Sequence, residues 1–99
     1  MILKVENQPA IDPATALLVE SELRSLSQPK RKFAILKDSP RFIQAMINDD
    51  ETFVVEYSDG APDQMFECEP VSLAEVTRAF LSFLDGGDYR GVLPFQRKS

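Results

Sequence analysis

The sequence predicts one α+β domain, residues 1–99, built as an antiparallel four- to five-stranded meander sheet with two amphipathic helices packed mainly on one face. Three observations predict this fold. Ninety-nine residues suffice for a single core. Residues 52–69 are predicted to form a β-hairpin, because Phe53, Val55 and Tyr57 alternate with residues of a more solvent-exposed face. Two stretches with capping residues and apolar spacings of three and four predict helices on either side of the strands.

The N-terminal part predicts an edge strand followed by a helix. Residues 1–5 are apolar enough for a short strand. Asp12 fits the N-cap and Pro13 the first helical position, since a carboxylate accepts from free backbone N–H groups and proline lacks one. We expect this helix to end near Ser27, before Pro29. Its apolar face would comprise Ala16, Val19, Leu23 and Leu26.

The middle of the chain predicts four strands. Residues 32–37 form a strand candidate, and the breakers Asp38, Ser39 and Pro40 follow it. Residues 42–47 are assigned to a strand rather than a buried helix because the run is short and flanked by turn residues. In the hairpin we expect Val55 opposite Phe66, because that register joins apolar side chains.

The second helix has the clearest local signal. Ser72 and Glu75 have the spacing of a capping box, and Val71 and Val76 that of a hydrophobic staple. The run 85–87, Asp-Gly-Gly, should end the helix with a glycine in the left-handed conformation. Its apolar stripe would comprise Leu73, Val76, Phe80, Phe83 and Leu84, and the tail would add Tyr89, Val92, Leu93 and Phe95 to the core.

Propagating the hairpin register through tight turns assigns every strand residue to a face. The predicted core face comprises Phe33, Ile35, Phe42, Met46, Phe53, Val55, Tyr57, Phe66 and Cys68. The opposite face would comprise the apolar Ala34, Leu36, Ile43, Ala45, Ile47, Val54 and Met65, with the acids Glu56, Glu67 and Glu69. Either this face stays uncovered, which is typical of interaction sites, or a helix or the tail covers it.

Gln44 falls within the predicted core face. A buried amide needs hydrogen-bond partners, and Tyr57 and Gln64 are the candidates. We interpret this glutamine as structural, with a small-ligand pocket beside Gln44 and Tyr57 as the alternative.

The sequence offers little for catalysis. Without histidine there is no Ser-His or Cys-His pair and no imidazole metal site. Glu67 and Glu69 should raise the thiol pKa of Cys68, which predicts an inert cysteine. A Glu56–Glu67 carboxylate pair would need a deep cleft to cleave a glycoside, and the chain is short for one. We therefore expect no enzyme activity, catalytic residue, cofactor or metal.

Charge and hydropathy restrict the partners. A net charge of −5 and a pI near 4.6 disfavour a nucleic-acid surface. No apolar run reaches the roughly 18 residues of a membrane span, and since the first residues lack the basic start and long apolar core of a signal peptide, we expect none. A single cysteine fits a reducing compartment, so we expect a cytoplasmic protein.

The ordered segments FAIL, FIQA, FVVEYSDG and VSLAEVTRAFLSFLDGGDYR, between Phe33 and Arg90, resemble small α+β immunity proteins of bacterial polymorphic-toxin systems. In that family a meander ending in an E-Y-x-x-G strand precedes an amphipathic helix and an aromatic tail. Members of that family often carry a tryptophan in this tail. This chain has none, and its tail has Tyr89 and Phe95 instead. The resemblance implies a non-enzymatic inhibitor that binds a toxin, and an acidic surface would favour association with a basic toxin.

These observations favour a protein-binding module, with two alternatives kept open. The predicted partner-binding residues are Glu56, Asp59, Asp63, Met65, Glu67 and Glu69. One alternative is a homodimeric structural or accessory protein that buries a patch of Leu36, Ile43 and Ile47. The other is a protein that binds a small ligand.

Overall fold

A computed structural model describes residues 1–61 and 64–98 and gives an open antiparallel sheet of six strands with two helices. The sheet order is the chain order, β1 to β6. The elements are β1 Ile2–Val5, α1 Ala16–Arg24, β2 Phe33–Asp38, β3 Arg41–Ile47, β4 Phe53–Ser58, β5 Met65–Val71, α2 Leu73–Leu84 and β6 Gln96–Lys98. The α+β class and the antiparallel sheet are confirmed. The sequence missed β6, which pairs with β5 through only three residues.

Helix α1 begins later than predicted. Ile11 is held beside the edge strand by two backbone hydrogen bonds with Leu3, each 2.9 Å from N to O. Asp12 therefore follows an extended residue and does not cap the helix. The cap is Thr15, whose hydroxyl accepts from the backbone N–H of Leu18 at 3.3 Å. A 3₁₀ turn, Ser25–Ser27, continues the helix to the predicted end.

Helix α2 has the predicted ends. The Ser72 hydroxyl accepts from the Glu75 backbone N–H at 3.2 Å, and the Glu75 carboxylate accepts from the Ser72 backbone N–H at 3.2 Å. At the other end Gly86 has φ +77, and the Gly87 N–H reaches the Ser82 carbonyl at 2.8 Å. These bonds satisfy groups that a helix leaves free at its ends, so both capping predictions are confirmed.

Both helices pack on one face of the sheet, called here the covered face. Side chains of α1, α2 and the sheet form one apolar cluster. Its fully buried helix residues are Val19, Leu23, Val76, Ala79, Phe80 and Phe83, and its fully buried strand residues include Leu3, Ala34, Leu36, Ile43, Ala45 and Val55. The sheet is thus covered by helices on one side.

The loop between β3 and β4 explains why the faces predicted for β2 and β3 are wrong. Ile47 lies opposite Phe53, and the Asn48 N–H donates to the Thr52 carbonyl at 2.7 Å, which leaves a loop of residues 49–51. Glu51 adopts φ 66. A three-residue loop of this kind pairs odd-numbered residues of β3 with odd-numbered residues of β4. The prediction that the even-numbered β3 residues Phe42 and Met46 lie on the core face was therefore wrong.

The correction exchanges the two faces of β2 and β3. Four residues predicted in the core lie on the opposite, uncovered side: Phe33, Ile35, Phe42 and Met46. Five residues predicted on the second face lie under the helices instead: Ala34, Leu36, Ile43, Ala45 and Ile47. The prediction that Phe33, Ile35, Phe42 and Met46 share one face is confirmed, since Phe33 lies opposite Met46 and Lys37 opposite Phe42.

The hairpin of β4 and β5 has the predicted faces in a shifted register. Val55 lies opposite Cys68 and Tyr57 opposite Phe66, two residues from the predicted pairing. A shift of two preserves the side of every residue, because strand side chains alternate with period two. Phe53, Val55 and Tyr57 are buried, and the core assignment of the hairpin is confirmed.

We expect Phe80→Ala to lower the free energy of unfolding by about 3 to 5 kcal/mol, because Phe80 is fully buried and its loss leaves a cavity. Chemical denaturation measures this. Leu17→Ala is the control, since Leu17 is 74% exposed on α1 and its change should cost under about 0.5 kcal/mol. Equal losses in the two variants would contradict the placement of α2.

Candidate functional site

The candidate site is the sheet face that lies opposite the helices, called here the open face. Among residues 1–61 and 64–98, no element packs over it. Its composition changes from one edge to the other. Lys4 and Lys37 form a basic margin on β1 and β2. Glu67 and Glu69 of β5 form an acidic margin beside Lys98 of the edge strand β6. Between the margins lies an apolar centre, made of Phe33, Ile35, Phe42, Met46 and Val54.

The apolar residues of the open face are partly exposed. Met46 is 45% exposed, and the other members of the apolar centre are half-buried. A shallow groove of about 380 Å³ crosses β1 to β3 beside them. Its walls are Ile2, Lys4, Ile35, Lys37, Phe42 and Gln44. A surface with this mixture of apolar and charged side chains suits contact with another macromolecule.

Glu56 lies at the middle of the open face but is only 5% exposed. One carboxylate oxygen accepts from the Gln44 amide at 2.6 Å, and the other accepts from the Lys98 ammonium at 2.5 Å. The hydrogen bond with Glu56 raises the pKa of Lys98. Since a buried charge needs partners, these two contacts account for Glu56 inside the sheet.

Gln44 therefore differs from its prediction in place and in partner. It lies on the open face instead of the core face, and it binds Glu56 rather than Tyr57 or Gln64. The structural role is retained. Lys98 was missed because three polar residues in a tail, Gln96–Lys98, carry no strand signal of their own. The charge of Glu56 at a strand centre was the available hint of a cation nearby.

The predicted acidic surface is brought together in part. Glu67 lies directly opposite Glu56, with its carboxylate 4.0 Å from the Lys98 ammonium, and Met65 is half-buried on the same face. Because Glu56 is already neutralised by Lys98, it offers no free charge to a partner. The acids that face solvent are Glu67, whose side chain is 36% exposed, and Glu69.

Asp59 serves a different purpose from the one predicted. Its carboxylate accepts a hydrogen bond from the Tyr89 hydroxyl and lies 3.3 Å from Arg90. These contacts join the β4–β5 loop to the tail, so Asp59 stabilises the fold. Asp63 lies outside the described residues.

The predicted dimer patch is not available on the surface of the chain. Leu36 and Ile43 are fully buried beneath the helices, and Ile47 packs against the same core. The uncovered apolar residues are instead the adjacent residues along these strands, which lie on the other face of the sheet. Met46, next to Ile47, is one of them. An uncovered apolar face with an acidic margin therefore exists, but β2 and β3 contribute the other set of side chains.

The predicted pocket of Gln44 and Tyr57 does not exist, since the two side chains lie on opposite faces. Tyr57 is 4% exposed and belongs to an aromatic cluster. Its ring stacks on Phe66 at 4.9 Å and meets the edges of Tyr89 and Phe95 at 5.3 and 4.7 Å. Tyr57 is a core residue.

The described residues present few chemically active groups. Burial raises the pKa of the Cys68 thiol, and the charge of Glu75 raises it further. The predicted direction is confirmed, although the causes are burial and Glu75 rather than Glu67 and Glu69. Within residues 1–61 and 64–98, no three cysteine, aspartate or glutamate side chains gather as a metal site would require. None of the helices described is long and apolar enough to cross a membrane.

Tyr89 should make the free energy of unfolding depend on pH at alkaline pH. Burial, together with the hydrogen bond to Asp59, raises the pKa of Tyr89 from 10.0 to about 12. Between these values the unfolded chain has lost the phenolic proton that the folded chain keeps, so the free energy of unfolding falls as pH rises from about 10 to 12. In Tyr89→Phe we expect a shallower fall, measured by urea denaturation along that pH series. Identical slopes in the two proteins would contradict the role of Tyr89.

Comparison with known proteins identifies no relative of this chain. No protein-family model matches it, and searches of curated proteins and of solved structures found no match. The resemblance to immunity proteins therefore stays a prediction, and the surface chemistry of the open face is what a functional proposal has to rest on.

Proposed function

We propose that the chain is a non-enzymatic protein-binding module whose binding surface is the open face of its sheet. One observation carries this proposal: over the described residues, a six-stranded sheet has a whole face without a covering element, and that face keeps apolar side chains at its centre. Antiparallel sheets that face only water usually present polar side chains there. An apolar centre with charged margins is the composition of an interface.

The shape of the open face favours a protein over a small ligand. Its groove of about 380 Å³ is shallow, and two of its walls are exposed lysine side chains. Small-molecule sites are concave and bury most of their ligand. The flat surface beyond the groove, with Met46 and the acidic margin, would stay unused by such a ligand. A macromolecular surface contacts all three regions at once.

An immunity-type inhibitor of a bacterial toxin is the specific form of this proposal that the sequence resemblance favours. In that form the toxin would contact Glu67 and Glu69, since Glu56 and Asp59 are engaged by Lys98 and Tyr89. A net charge of −5 would speed association with a basic toxin. The proposal of a protein-binding face does not depend on this identity.

Photo-crosslinking in the cells that naturally produce the chain tests the protein-binding proposal. A benzophenone amino acid replaces Met46 on the open face or, as a matched control, Leu17 on α1, which is also a large exposed apolar residue. We expect a discrete protein adduct from position 46 and none from position 17. No adduct from position 46, or the same adducts from both positions, would contradict the proposal.

A further inference from the structure

We infer that the shallow groove across β1 to β3 of the open face, called here the basic groove, binds an acidic and apolar segment of a partner protein. That segment carries an apolar side chain with carboxylates on both sides of it. This inference rests on the proposed function, because it names the chemistry that a partner presents to one half of the same surface. The strand register, the distribution of charge over the open face and the lining of the groove carry it.

The strand register places two lysines and two isoleucines at the corners of a square. Lys4 lies opposite Ile35, and Lys37, two residues further along β2, lies opposite Ile2. The lysines therefore occupy one diagonal of the square and the isoleucines the other, with the two lysine Cα atoms about 8 Å apart. Phe42 of β3 extends the apolar lining on the far side of Lys37. Both lysine side chains are exposed, so two ammonium groups stand beside an apolar surface.

Neither lysine of the basic groove is neutralised by the part of the chain that the structure describes. Among residues 1–61 and 64–98, no carboxylate forms an ion pair with Lys4 or Lys37. The acids next to them along the chain have other partners. The Glu6 carboxylate accepts from a backbone N–H at 2.8 Å, and the Asp38 carboxylate pairs with Arg41 at 2.8 Å. The two ammonium charges are therefore available to a partner.

The open face is divided electrically between β3 and β4. On strands β1 to β3 its charged side chains are the two lysines of the basic groove. On β4 to β6 they include three carboxylates, Glu56, Glu67 and Glu69, and one ammonium, that of Lys98, which pairs with Glu56 at 2.5 Å. In a chain with a net charge of −5, the half formed by β1 to β3 is the part of this face that attracts carboxylates.

The lining of the basic groove selects an apolar side chain as well as negative charge. Its volume is about 380 Å³, and Ile2, Ile35 and Phe42 line it beside the ammonium groups. Ile2 is 40% exposed, so an apolar side chain that covers it removes apolar surface from water. In an extended segment, side chains two residues apart point the same way at a spacing of about 6.8 Å. Acids within two positions of the apolar residue therefore reach the flexible lysine side chains.

A nucleic acid matches the open face less well than an acidic peptide does. Binding to a phosphate backbone depends on the number of phosphates that cations neutralise. Here the two groove lysines lie beside a half-face with three carboxylates and one ammonium. A small anion would be buried poorly, because the groove is shallow. A protein segment satisfies both the lysines and the apolar lining, while the rest of its protein covers Met46.

Selection from a random peptide library displayed on phage tests the inference, with the immobilised full chain as the target. We expect the enriched peptides to share an apolar residue that has Asp or Glu within two positions on each side. Lys4→Gln with Lys37→Gln should lose this consensus. The matched control is Lys30→Gln with Lys32→Gln, which removes the same charge from two exposed lysines outside the groove and should keep the consensus.

The Kd of one enriched peptide, measured by fluorescence anisotropy, separates the charged contacts from the apolar contact. Lys4→Gln with Lys37→Gln should raise this Kd about 10-fold, because two exposed ion pairs are lost. High salt should shrink that difference, since it screens exposed charges. Ile2→Ser should raise the Kd about 5-fold at low and high salt alike, because it removes an apolar contact. Circular dichroism checks that each variant folds.

The outcomes separate this inference from the protein-binding proposal. No shared consensus, a consensus without acids, or equal Kd values for the unmodified chain and the double variant of Lys4 and Lys37 would overturn the inference. A DNA or RNA oligonucleotide that binds through these lysines would overturn it in favour of a nucleic acid. If one of these results is found while position 46 still crosslinks to a protein, the protein-binding proposal stands and the inference alone falls.

Discussion

The loop of residues 49–51 is the constraint on which the rest of the structure depends. Because it holds an odd number of residues, it aligns Ile43, Ala45 and Ile47 of β3 with the buried side chains of β4. The left-handed conformation of Glu51 closes this loop. A loop one residue shorter or longer would turn β1, β2 and β3 over together and bring Phe42 and Met46 under the helices. Loop length thus decides which apolar side chains stay at the surface.

The sequence predicted features that depend on neighbouring residues and missed those that depend on distant ones. The capping box of Ser72 and Glu75 and the left-handed Gly86 were predictable because their partners lie within a few positions. The faces of β2 and β3 were not, since both faces of these strands are apolar and either one could serve as core. The late start of α1 at Ala16 depended on the pairing of Ile11 with Leu3, which no local pattern encodes.

The candidate site shows the same division. The acidic margin was predictable from the alternation of β4 and β5, whereas Val54 is the only residue of the apolar centre that the sequence placed on the correct face. Which acids remain free was not, because Glu56 is neutralised by Lys98 from a strand 42 positions away and Asp59 is held by Tyr89. What remains exposed is a face with Lys4 and Lys37 along one side and Glu67, Glu69 and Lys98 along the other. Charged margins around an apolar centre are the composition of a protein interface.

Thiol labelling at two adjacent positions of β3 tests the central claim, that the loop of residues 49–51 leaves Met46 on an uncovered face and places Ala45 under the helices. In a Cys68→Ser background, Met46→Cys should react rapidly, because Met46 is 45% exposed. Ala45→Cys should resist labelling, since Ala45 is fully buried. Rapid labelling at position 45, or slow labelling at position 46, would contradict the account.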